Sequence, residues 1–161
     1  MKNLKKILDS DYSKILILWI FSIIIRGYKY GISVHRYYFP FIFKNADNSL
    51  YLKDFMFSYP TENSLIFKIL GKISVYISLE TTMFVLYLIF SLLFIIAIFK
   101  ISKLIFNNEY VSYITIFLLM INKPSFGTDL TFRNLFFPIV ASIPIILFSL
   151  YYFLKKRYIL A

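Results

Sequence analysis

Cysteine is absent from this chain, and histidine and tryptophan occur once each. Without a thiol the chain has no disulfide, no thiolate metal ligand and no cysteine nucleophile of its own. A single imidazole, His35, makes no zinc constellation, so its expected role is an interfacial hydrogen bond. Glycine is scarce at four residues, and no glycine-rich phosphate loop, nucleophile elbow or His-Glu-x-x-His motif occurs. Soluble nucleotide-dependent and hydrolytic chemistry therefore has no support. Acidic residues number only eight against eighteen basic ones.

Apolar and aromatic residues fill the rest. The 161 residues are 60% hydrophobic and 21% aromatic, with a mean hydropathy of +0.73. Soluble domains reach roughly 45 to 50% apolar, so a water-soluble core cannot hide this much. The length holds three to five spans at about 20 residues each, and leaves no room for a large soluble catalytic domain. The expected fold class is all-α, a polytopic membrane protein of about four transmembrane helices forming one module over residues 1–161. The net charge of +10 would suggest nucleic acid in a soluble protein. Here the basic residues sit mostly at the ends of apolar runs, where they meet lipid phosphates, and no nucleic-acid partner is expected.

Along the chain, a basic start (Lys2, Lys5, Lys6, Lys14) precedes a first span over about 12–33. No small-x-small cleavage site follows Ile25, so it reads as an uncleaved anchor, with Arg26 and Lys29 snorkelling to the far interface. Further spans are expected at 80–100, 107–123 and 135–154, the last carrying Pro138 and Pro144 and closed by Lys155-Lys-Arg157. The run Tyr110–Ile121 is short for a span and must recruit neighbours or tilt. Four spans place the N-terminus in the cytoplasm by the positive-inside rule, although the basic residues divide equally between the two sides.

Residues 34–79 form the expected outer loop. Its aromatic start, Tyr37–Phe43, is too short to span and reads as interfacial. From Ser64 to Ile77, apolar residues at Leu65, Ile66, Ile69, Leu70, Ile73 and Ile77 with Lys68 and Lys72 opposite predict an amphipathic helix lying on the bilayer. Between these segments lies the polar island Asn45–Asp54, which holds Asp47 and Asp54. A carboxylate at a membrane interface can act as a general base, and Arg36, Lys53 or Arg133 can hold a lipid pyrophosphate. The bland reading of Asp47-Asn-Ser49 is a turn. A second polar island, Pro124–Arg133, holds Asp129 and Arg133 at the i,i+4 spacing that would let them pair on a helix.

The order of these features carries a resemblance. A basic N-terminus, a span ending in Tyr30-Gly31, His35, then Asp47-x-x-Leu50-Tyr51-x-x-Asp54, Tyr59-Pro60, an interfacial helix, two spans, and Phe132-Arg133 before a last span closed by Lys-Lys-Arg cover essentially the whole chain. This resembles the N-terminal part of bacterial multi-spanning proteins of the glycosyltransferase C type. The resemblance implies catalysis with a polyprenyl-phosphate-linked sugar, an acidic residue of the first outer loop as general base or metal ligand, and a divalent metal as possible cofactor. By position Asp47 matches that residue first and Asp54 second, although adjacent paired acids are absent. Such proteins continue for several more spans, so the chain is expected to be truncated at its C-terminus and inactive alone. Two other readings stand beside it: a small non-enzymatic scaffold or partner subunit that binds other membrane helices, and a transporter component. The last is weakened because no span carries an ionisable residue near its centre.

Overall fold

A computed structural model describes residues 11–32, 35–51, 53–57, 65–121, 136 and 138–156. Among them are six α-helices and no strand: α1 (Asp11–Arg26), α2 (His35–Ala46), α3 (Leu65–Ser74), α4 (Leu79–Phe106), α5 (Glu109–Ile121) and α6 (Pro138–Leu154). A single 3-10 turn, Phe55–Phe57, lies between α2 and α3. The all-helical expectation holds for these residues.

Helix boundaries follow local chemistry. Gly27, at φ +66°, takes the left-handed position that ends α1, and its amide donates to the Ile23 carbonyl at 2.8 Å. The first apolar run therefore stops as a 16-residue helix, short of Ser33. Ser78 caps α4, its hydroxyl accepting from the Thr81 amide at 3.2 Å. Nothing breaks the chain after Lys100, so α4 runs on to Phe106 and reaches 28 residues, about 42 Å at 1.5 Å per residue. Asn107, at φ 49°, ends it. Asn108 then caps α5, accepting from the Tyr110 amide at 2.8 Å.

Among the described residues, α4 is the one helix both long and apolar enough to cross a membrane. Helix α5 and the Val140–Leu154 part of α6 are shorter apolar helices. At 13 residues α5 reaches about 20 Å, against a hydrocarbon layer of about 30 Å.

The chain divides into two compact units, residues 1–28 with 87–161 and residues 29–86. In the first, Ile15, Phe94, Ile95, Phe99, Ile116 and Met120 form the buried cluster, with Ile143 and Leu147 of α6 packed against it. Among its described residues, the buried polar side chains are those of Ser22, Ser91, Ser102 and Ser112. Ser22, Ser91 and Ser112 return their hydroxyl protons to carbonyls of their own turns at 2.7–3.0 Å, and Ser102 meets Thr115 of α5 at 3.2 Å. Trp19 of α1 donates its indole proton to Ser91 of α4 at 2.9 Å.

In the second unit α2 packs on α3. Gly71 makes this possible: a Cβ there would stand 2.7 Å from the Asn45 Cβ and 2.8 Å from the Ile42 carbonyl oxygen. Phe67 and Leu70 fill the same interface and are buried. Leu65 and Ile69 of the expected apolar stripe are exposed beside Lys68 and Lys72, whereas Leu70 of the same stripe is buried, on the side that carries the close approach of Gly71 to α2.

Candidate functional site

The polar island is built on the end of α2. The Asn45 side chain donates to the Phe41 carbonyl at 2.7 Å, and the Asp47 amide to the Phe43 carbonyl at 2.9 Å, so the helical turn carries through to Asp47. Asp47 then closes a turn of its own. Its Oδ1 accepts from the Ser49 amide at 2.9 Å and from the Ser49 hydroxyl at 2.7 Å. These two bonds favour the charged form and hold the carboxyl below its ordinary range, the Ser49 hydroxyl contributing most.

Tyr51, at φ 61°, reverses the chain, and the Asp54 amide donates to the Tyr51 carbonyl at 3.1 Å. The Asp54 carbonyl accepts from the Phe57 amide at 3.1 Å and opens the 3-10 turn. Phe57 folds the loop back onto α2: its ring lies 4.9 Å from Phe41 and 5.0 Å from Tyr51. Lys44 secures it twice, donating to the Phe57 carbonyl at 3.1 Å with its ammonium 4.8 Å from the ring centroid. The island is thus a short strapped loop, with Asp47 and Asp54 both exposed at its surface.

The basic residues expected beside the carboxylates are placed differently. Arg36 is exposed on the first turn of α2 and Lys53 is exposed on the loop itself. Among the described residues Asp47 pairs with neither; the bonds to its carboxylate are those from Ser49. Arg133, with Asp129, lies outside the described residues. No three His, Asp or Glu side chains gather among the described residues as a metal-holding group, and Asp47 already spends one oxygen on Ser49. The donor set described does not fit a divalent cation.

His35 is buried at 1% exposure, its Nδ1 accepting from the Gly31 amide at 3.1 Å and its ring stacked on Phe39 at 4.9 Å between centroids. It is a hydrogen-bonded packing residue, in the spirit of its expected role but enclosed.

Two constellations of the first unit carry no signature in the local sequence pattern. Lys103 bridges Asp11 at 2.9 Å and also pairs with Glu109, while Tyr113 donates to the second oxygen of Asp11 at 3.1 Å. Residues 92 positions apart meet there, and no local spacing signals it. Arg26 also behaves differently from a snorkelling cation: it donates from Nη2 to the carbonyls of Leu119 and Met120 at 2.7 and 2.9 Å, and from Nε to Met120 at 3.2 Å.

Compared with protein families, with curated proteins and with solved structures, the chain matches none.

Proposed function

We propose that the chain is a four-span protein of the bacterial cytoplasmic membrane, N-terminus inside, and the membrane module of a glycosyltransferase C-like enzyme that uses a polyprenyl-phosphate-linked sugar. The observation that supports membrane insertion is the number of large apolar side chains on the outside of a unit that also buries serines. In the first unit serines are buried between helices while Ile17, Ile24, Leu118, Ile145 and Ile146 are exposed. Small polar residues between helices and large apolar ones outside suit lipid, where burying apolar surface drives nothing. Labelling tests the topology: Ser49→Cys reacts with an impermeant maleimide from outside and Asn108→Cys only after the membrane is opened. Outside labelling of Asn108→Cys overturns four spans.

The transferase reading is supported by two exposed carboxylates on one strapped loop, with exposed Arg36 and Lys53 in the same unit. Asp47 is the assigned general base and Asp54 the assisting carboxylate, while Arg36 and Lys53 of the same unit bind the diphosphate or phosphate of the donor. In membranes from cells whose chromosomal copy carries Asp47→Asn, transfer of labelled sugar from polyprenyl phosphate is lost. Unchanged transfer sinks the assignment.

One observation favours a non-enzymatic partner subunit instead. Asp47 is tied to Ser49 and held below the ordinary carboxyl range, which makes it a weak base and a good turn former. Under that reading Asp47→Asn leaves transfer intact, and deleting the chain lowers the amount of a partner membrane protein.

A further inference from the structure

We propose that the outward face of α3 docks on an anionic lipid headgroup layer. The inference rests on the membrane reading above and adds the surface, the residues and the lipid charge. The inner face of α3 is settled by Phe67, Leu70 and Gly71 against α2. On the opposite side, Leu65, Lys68, Ile69 and Lys72 stand at i, i+3, i+4 and i+7, within one arc of roughly 100° at 3.6 residues per turn. Tyr76 follows in the turn after the helix and is the most open of them, 88% exposed; Leu65 is 72% exposed and Ile69 48%.

Two features of this stripe select its occupant. The apolar members stand outside the buried set of the unit, with Leu65 largely open, and are free to meet an apolar layer outside the protein. The charged members are both lysines, and between Asn63 and Leu79 the sequence holds no acidic residue. Lysine stems lie along apolar surface while the ammonium groups reach phosphates, and an aromatic ring settles at the same depth. A helix with interleaved Leu, Ile, Tyr and Lys on its free side therefore matches the headgroup and acyl boundary of a bilayer that carries negative charge.

The absence of cysteine makes the test direct, because each introduced thiol is the sole label site. The full chain is reconstituted in vesicles of phosphatidylcholine alone or enriched in phosphatidylglycerol, with a nitroxide at Ile69→Cys and, separately, at Ile89→Cys on the exposed side of α4. Collisions with oxygen report lipid; collisions with a nickel chelate report water. In phosphatidylglycerol vesicles the Ile69 label is expected to collide with oxygen and to be shielded from nickel. Each lysine near an anionic surface gives roughly a fivefold preference, so Lys68→Glu with Lys72→Glu is expected to weaken docking by more than tenfold and return the label to water. A water signal at Ile69 with a lipid signal at Ile89 overturns the docking surface and leaves the membrane reading standing. A water signal at both overturns the two together. Equal shielding in phosphatidylcholine overturns the role of lipid charge, and protection from both reagents means that protein covers the face.

Discussion

Arg26, the last residue of α1, donates to the carbonyl oxygen of Leu119 near the end of α5, 93 residues away in the chain, at 2.7 Å. With the bonds to Met120, one guanidinium donates to two backbone carbonyls of α5. The cation also faces the negative end of the helix dipole. A side chain at the end of one helix thereby joins the backbone of another.

Replacing this residue separates capping from charge. Arg26→Gln is expected to destabilise the first unit by about 2 kcal/mol, the scale for hydrogen bonds from a charged donor. Arg26→Lys is expected to recover only part of it, since an ammonium lacks the planar fork. Thermal unfolding in detergent, with hydrogen exchange at Leu119–Ile121, reads both. Wild-type stability in Arg26→Gln rules out the cap.

Gly71 gives a steric prediction. Gly71→Ala places a methyl 2.7 Å from the Asn45 Cβ and 2.8 Å from a backbone oxygen of α2, so the two helices must separate. A loss of about 1–3 kcal/mol follows, as for other overpacked sites. Faster hydrogen exchange across His35–Ala46, with α5 unaffected, is the expected signature. An α2 as protected as in the wild type contradicts the close approach.

Asp11 carries the pH dependence. Its hydrogen bond from Lys103 and the weaker one from Tyr113 pull its carboxyl below the ordinary range, against a desolvation that pushes it up. A depressed folded value stabilises the fold above the unfolded value, and that contribution disappears as pH falls through the depressed one. Stability is therefore expected to decline as pH drops below about 4, and Lys103→Met to flatten that decline. Both partners are partly exposed, so the effect belongs to the range of about 1 kcal/mol or less. Melting curves across acid pH, for wild type and variant, decide it; parallel profiles exclude the coupling.

Trp19 is a native reporter, since the chain has one tryptophan. Ser91→Ala removes the acceptor of its indole proton while leaving the surrounding apolar contacts. A blue-shifted emission with unchanged helicity by circular dichroism is expected. An unaltered spectrum excludes the α1–α4 hydrogen bond.

Much of the helical content is legible in the order of residues. Unbroken apolar runs place the start of α4 within one residue and both ends of α5 within two of those observed. The full length of α4 is not, because Lys100 and Lys103 look like the end of a span, yet neither residue interrupts a backbone hydrogen-bond ladder. The strapped form of the Asn45–Asp54 island is only half visible: Asp47-Asn-Ser49 announces a turn, but nothing local says that Phe57 and Lys44 fold the loop onto α2.

By itself the sequence determined the class of structure, since hydropathy and the lack of thiols are sums over residues and local periodicity sets the helices. Tertiary structure alone decided which faces are used. It turned Phe67, Leu70 and Gly71 inward and Lys68 and Lys72 outward, carried Arg26 to the end of α5, and brought Lys103 between Asp11 and Glu109. Those choices depend on where a second helix lies, and an amphipathic pattern with apolar residues around much of its circumference fits more than one neighbour until close packing at a glycine selects one.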